Sequence, residues 1–396
     1  MELDITPWIN MAIRWLHFIT GIAWIGSSFY FVWLDNHLET PKEPKKGMSG
    51  ELWSVHGGGF YHKQKYAVAP EVMPDNLHWF KWEAYFTWMS GFALLAIIYY
   101  LGAELFLIDK AKADLSQLEA IGISLAFLVG GWFFYDGLCR SPLGKNNLLT
   151  GVLWFVSLVI AAWGLTQIFS DRAAFIHIGA IVGTAMAANV FMVIIPNQKK
   201  VVAALTAGET PDPKLGQISK QRSLHNNYMT LPVLLLMVSN HYPMTFSNPY
   251  NWAVIAGLGL VGVMVRHFFN LRHKGTSSPG LVVASVLLFI ATMVFASEAD
   301  KRARIDTSGM DASFGEVQVI IAKHCLNCHV ANPPHESFDE APGGVVLDQP
   351  ALIRLYGPRI FEQTVASDIM PLGNETGMTA EERALLGKWI NEGAGN

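Results

Sequence analysis

Cys325, Cys328 and His329 stand in the order C-x-x-C-H within the string KHCLNCHVANPP. Two thiols three residues apart lie about one helical turn apart, so their sulfurs can add to two vinyl groups on one edge of a porphyrin. The histidine that follows can reach the iron as the proximal ligand. The pattern reads as the attachment site of one covalent c-type haem. A chance match or a zinc site is the bland alternative, and the neighbouring strings favour the haem.

Those strings are the elements that would hold the motif. FGEVQVIIAKH precedes it and carries an apolar stripe of Phe314, Val317, Ile320 and Ile321. TAEERALLGKWINEGA closes the chain as a helix, with Thr379 and Glu382 at capping-box spacing. Leu385, Leu386, Trp389 and Ile390 form its buried face, and Gly393 stops it. The loop between, SDIMPLGNETGMT, offers Met370 and Met378 as a sixth ligand, although a methionine is as often a gap-filler in a core. Pro371 stiffens the chain beside Met370. The segment 314–396 resembles class I cytochromes c, in which such a Met-Pro supplies the thioether, so His329 and Met370 are the expected iron ligands. His/Met ligation raises the reduction potential and suits a haem that passes electrons to a terminal oxidase.

The rest of the chain has a different character. Of 396 residues 51% are hydrophobic and only 15% charged, against about 25% charged in a soluble domain. Three cysteines exclude a disulfide framework, and Cys139 reads as an inert thiol. Eight apolar segments are legible: 8–34, 82–107, 118–134, 148–169, 175–195, 228–240, 251–269 and 281–296. A span needs about 20 apolar residues. The sixth is short, borrows polar residues from Leu224 onward, and contains Pro232, which would kink it. The start, MELDITPW, lacks a basic region, so the first segment reads as a retained span rather than a cleaved signal. The expected fold is therefore all-α: a polytopic membrane bundle of about eight spans over 1–297, a charged linker without structure over 298–313, and a small cytochrome c domain over 314–396.

Loop charges orient this bundle. With the N-terminus outside, the inner loops 35–81, 135–147, 196–227 and 270–280 hold fifteen Lys and Arg, and the outer pieces hold three. By the positive-inside rule both ends lie outside an inner (cytoplasmic) membrane. An even number of spans then delivers residue 325 to the periplasm, where haem c is attached. The terminal domain is acidic, with 11 Asp and Glu against 5 Lys and Arg. That charge either draws it to a basic docking surface or keeps it soluble.

Eight spans exceed what an anchor requires, so ionisable residues within them are functional candidates. Arg14 and His17 share a face of the first span and lie in its outer half. His177 begins the fifth span, and Asn189 lies further along it. Toward the inner side lie His56 and His62, flanking GGGFY, then His78 and His225. HGGG reads as a flexible loop or as an anion-binding nest of backbone N–H groups. His267 beside Arg266, His241 and His78 read as interfacial. The run from Trp79 to Trp88 reads as an interface belt.

The strings WLHFITGIAWIGSSFYFVWLDNHL, ELWSVHGGGFYHKQKY, LHWFKWEAYFTWMSGF and RSLHNNYMTLPVLLLMVSNHYP, followed by CLNCH, resemble the bacterial membrane-bound urate hydroxylases of the PuuD type. That family joins a multi-span urate oxidase N-terminal domain to a cytochrome c domain, and the resemblance runs along essentially the whole chain. It implies oxidation of urate with water to 5-hydroxyisourate, without copper or hydrogen peroxide. Electrons would leave through the chain's own haem c to a terminal cytochrome oxidase or a soluble cytochrome c. Urate, water, the electron acceptor and the lipid bilayer are the expected partners, and no nucleic acid is expected. Arg14 and His17 suit the roles of anion holder and base. The cytoplasmic origin of urate favours the inner residues His56, His62, His78 and His225 instead. A second carrier, such as a b-type haem between His17 and His177, is the weaker expectation. A dehydrogenase of another small substrate and an electron-transfer subunit without enzyme activity remain the rival readings.

Overall fold

The computed structural model of the chain describes residues 5–303, 305–307, 309–310, 312–367 and 369–393. It is mostly helical. The first part comprises α1 Thr6–His37, a hairpin of β1 Met48–His56 and β2 Gly59–Tyr66, α2 Trp82–Leu95, α3 Ala103–Phe106, α4 Gln117–Arg140, α5 Asn147–Thr166, α6 Asp171–Ala188, α7 Ile195–Thr206, α8 Pro213–Ser239, α9 Asn251–His273 and α10 Pro279–Ala303. The second part comprises α11 Phe314–His324, α12 Pro350–Leu355, α13 Gly357–Ile360 and α14 Ala380–Asn391.

Side-chain caps set several helix starts. Ser116 and Glu119 form a reciprocal capping box on α4, Asn146 caps α5, Ser170 caps α6 and Asp212 caps α8. Each satisfies backbone N–H groups that a first turn leaves without partners. α6 is the central helix, with Ala173, Phe175, Ile178, Ile181 and Ala185 buried against α4, α5 and α8.

Among the described residues six helical stretches are long and apolar enough to cross a bilayer: Pro7–His37, Gln117–Arg140, Asn147–Thr166, Asp171–Thr206, Asn251–His273 and Pro279–Glu298. Two of the eight expected segments fall short of that measure. The second is broken into α2, a π turn at Ala96–Tyr100 and α3. The sixth is the end of α8, a 27-residue helix whose middle carries Arg222, His225, Asn226 and Asn227. α2 packs on α1, and α8 packs on α6 and α9. α2 falls short because the π turn leaves it 14 residues long, and α8 because its buried stretch carries polar residues.

Two further expectations are corrected. The loop after α1 is not irregular: β1 and β2 pair antiparallel in register, His56 opposite Gly59. Gly57 and Gly58 form the two-residue turn with φ of 59° and 77°, as a type I′ hairpin requires. The bare glycines of HGGG are thus turn residues, and the fold is not purely helical. The supposed linker is helical at its start, because α10 runs on to Ala303.

Among the described residues two large cores form, with a small cluster of Ala84, Val190 and Ile195 beside them. One unites α4, α5, α6, α8 and α9 around Leu128, Trp132, Tyr135, Ile181 and Leu236. The other, around Val317, Ile320, Ile353, Leu386 and Trp389, belongs to the C-terminal part. α8 and α9 cross closely at Gly262, where an added Cβ would stand 3.1 Å from Pro232 Cδ and N.

Candidate functional site

α8 presents two polar faces, because Asn226 and Asn227 are about 100° apart on a helix. On the α9 side, Arg266 Nε–H donates to Asn227 Oδ1 (2.9 Å), and Asn270 Nδ2–H donates to the same oxygen (2.9 Å). Arg266 is 4% exposed and Asn227 fully buried. The Arg266 guanidinium lies over Phe29 of α1, its carbon 3.9 Å from the ring centre, a cation–π contact.

Four polar atoms here have no partner among the described residues: Arg266 Nη2, Asn227 Nδ2, Asn270 Oδ1 and His273 Nδ1. No carboxylate among the described residues pairs with Arg266. The neighbouring cavity of about 380 Å³ is lined by Phe29, Tyr30, Trp33, Arg266, Phe269 and His273. His37 stacks on Trp33 (5.0 Å between centroids) and meets His273 edge-on at 5.7 Å. The hairpin reaches the same place, with Lys63 Nζ 5.6 Å from the centre of the Tyr30 ring and an ion pair from Lys65 to Asp35 (2.7 Å). The result is an aromatic slot with one buried cation and a histidine on its wall. It suits a flat anion.

The other face of α8 differs in that its arginine has a carboxylate partner, although Arg222 Nε and His225 Nε2 have no partner among the described residues. Arg222 donates to Asp136 (2.6 Å) and Asn189 (3.2 Å). Asn189 donates to Tyr135 Oη and Asn226 Oδ1, and Tyr135 Oη meets His225 Nδ1 at 2.8 Å. Asn189 opens the π turn Asn189–Ile194. Cys139 Sγ lies 3.7 Å from His225 Nδ1. This network ties α4, α6 and α8 together, and no cavity opens onto it among those described.

The expected site residues are scattered. Arg14 is exposed and donates to Asn10 (3.2 Å), while His17 turns to α2, with Nδ1 2.9 Å from the Thr87 carbonyl and 3.2 Å from Ser90 Oγ. No hydrogen bond joins Arg14 to His17. His177 sits in the α4–α6 seam, Nδ1 on the Ala173 carbonyl (2.7 Å) and Nε2 on Ser124 Oγ (2.7 Å), so both of its nitrogens are engaged. His17 and His177 occupy different seams. His56 and His78 are exposed. His62 stacks on Trp53 and pairs with Glu51 (2.8 Å). The Lys42 backbone N–H, followed by His62, holds the Glu51 carboxyl below its usual range.

Residues 4–297 match the family described as Urate oxidase N-terminal. The chain belongs to that family. No curated protein and no solved structure matches it. Membership in the urate oxidase N-terminal family ties the membrane part to urate and to enzymes that act on it.

Sequence reasoning missed Arg266, Asn227, Asn270, His37 and His273 as a group. A signal existed: Arg266 and Asn270 are four apart in VMVRHFFNLRH and share a face, inside a span where both are costly.

The C-x-x-C-H motif lies beyond the matched residues, where α11 ends at His324 and Cys325 follows as its C-cap. His329 Nδ1–H donates to the Val345 carbonyl (2.8 Å), which fixes the ring and leaves Nε2 free, as a metal-bound histidine needs. Burial pushes the Cys325 thiol up to about 12 and raises Cys328, so both are held as thiols. Among the described residues no group of three or more His, Cys, Asp or Glu could hold a metal ion, but a porphyrin iron needs only a histidine and a thioether. Met378 is buried in the C-terminal core, and Met370 is half-buried in a loop pinned by Arg383 Nη1–H to its carbonyl (2.7 Å). Cys325, Cys328, His329 and Met370 are the residue types that would hold a covalent haem.

Proposed function

We propose that the protein oxidises urate with water to 5-hydroxyisourate in the α1–α8–α9 slot, and that the electrons leave through a haem c on the C-terminal part. The unpaired Arg266 carries this reading. A buried cation without an anion is costly, and a urate anion would supply the missing charge. Phe29, Trp33 and Phe269 are placed to stack on the purine plane. Asn227 Oδ1, which accepts from Arg266 Nε–H and Asn270 Nδ2–H, would hold the guanidinium in place beside the cavity.

One C–O bond forms between water oxygen and the ring carbon, and two electrons and two protons leave. His273 Nδ1, without another partner, takes a proton from the attacking water, and His37 beside it passes the proton toward the hairpin side. Haem c, when bound, supplies a one-electron acceptor. The basic loops at the hairpin end and the acidic C-terminal part agree with a slot open to the cytoplasm and a periplasmic haem in the inner membrane. A terminal oxidase or a soluble cytochrome c would then collect the electrons.

Anaerobic mixing of purified protein with urate, followed by the haem spectrum, tests this. We expect reduction without added donor. Arg266→Ala should raise the urate concentration for half-maximal reduction roughly tenfold to a hundredfold, the scale of a lost charged hydrogen bond, while a chemical donor still reduces the haem normally. Full response in the variant would place the substrate elsewhere.

A further inference from the structure

The loop that carries Met370 does not stand free of the membrane part. Ile369, its neighbour, packs against the core of the membrane bundle. Gly373 lies at the end of α3 with φ of 57°, and a Cβ there would stand 2.6 Å from the Glu104 carbonyl oxygen and 3.4 Å from those of Leu105 and Ile108. Three carbonyls at a helix C-terminal end thus form a cradle that admits only glycine. Beside it a cavity of about 350 Å³ is walled by Phe106, Arg172 and Phe246 from one part and by Leu372, Asn374 and Arg383 from the other.

The loop is braced to hold that pose. Arg383 donates to the carbonyls of Thr364 (2.6 Å) and Met370 (2.7 Å), and Asn374 Oδ1 accepts from the Met378 N–H (2.9 Å). Lys110 at the rim is paired with Glu104 (3.1 Å). That pair, together with Asp114 and Glu375 across the seam, raises its pKa.

We infer that this seam is the electron port: the Met370 loop docks on α3 through Gly373, and electrons pass from the membrane part to the haem in this fixed pose rather than through a swinging domain. The inference rests on the haem reading above, but docking itself can be read without haem or urate.

A matched pair of glycines provides the test. Gly377, in the same loop, also has positive φ, 65°, but open space where its Cβ would go. Gly373→Ala and Gly377→Ala therefore share backbone strain, and only the first meets carbonyls. Cysteines placed at Leu105 and Leu372, both on the cavity wall, should cross-link in the otherwise unaltered protein and with Gly377→Ala, and at least tenfold less with Gly373→Ala. In parallel, urate-driven haem reduction should slow at least tenfold in Gly373→Ala, with the spectrum and reduction by a chemical donor unchanged. The cross-linked protein should still be reduced by urate. Equal cross-linking in both variants, or a cross-linked protein that urate no longer reduces, overturns the proposal. Failure of urate to reduce the unaltered protein would strike the substrate assignment and leave the cross-linking result standing.

Discussion

At the scale of single residues, two buried arginines one helix apart show how chemistry separates a brace from a site. Arg222 faces Asp136 at 2.6 Å and closes a network. Arg266 faces a ring, one amide oxygen and a cavity. From sequence both are arginines near helix ends, and only packing shows which has its counter-charge. The haem motif was legible because covalent attachment fixes its spacing. The slot was not, because its groups come from three helices far apart in the chain. Glu382 supplies a prediction of pH dependence. Burial alone would raise its pKa. The Thr379 backbone N–H, Lys323 and His324 outweigh that and hold it at about 2, below the reference 4.5. A depressed pKa gives stability that is complete above 4.5 and is lost as pH falls toward 2. Glu382→Gln should therefore lower the unfolding temperature of the C-terminal part at neutral pH. It should also flatten the acid decline between pH 4.5 and 2, measured by circular dichroism. An unchanged acid limb would show that the Glu382 carboxylate contributes nothing there.

At the scale of elements, the slot depends on how closely α8 meets α9. Asn227 reaches Arg266 and Asn270 only because Gly262 lets the helices touch at Pro232. Gly262→Val should overpack that crossing, at a cost of about 1–3 kcal/mol, and part Asn227 from Arg266. Thermal unfolding should fall and urate binding weaken together. Gly151→Val on α5, where an added Cβ meets open space, should change neither; an equal loss in both variants would mean that the crossing does not set the slot. Most helices were legible from their apolar runs and their limits. The breaks were not: the π turns at Ala96–Tyr100 and Asn189–Ile194 come from tertiary packing of residues that look helical. The hairpin was missed because its alternation is masked by charged residues on both faces, among them Lys63, Lys65 and Glu51.

At the scale of the whole molecule, the slot and the Met370 loop lie at opposite ends of the bundle. The slot adjoins the hairpin, where α1 and α9 end, and the loop sits on α3, beside the beginning of α6. A hydrocarbon core of about 30 Å separates two such ends, so a one-electron carrier within the bundle would have to relay each electron between them. With the basic loops inside, each electron would travel outward across the membrane, from its negative to its positive side. One elementary charge crossing is worth about 2.3 kcal/mol per 100 mV, so the membrane potential should drive urate oxidation, and turnover should dissipate it. In sealed right-side-out vesicles loaded with urate, an ionophore that collapses an inside-negative potential should slow haem reduction several-fold, and imposing the potential should restore it. The same treatment should leave the detergent-solubilised protein unaffected. If the vesicle rate ignored the potential, urate and haem would have to share one side of the membrane, and the Arg266 slot would be excluded as the place where the electrons start.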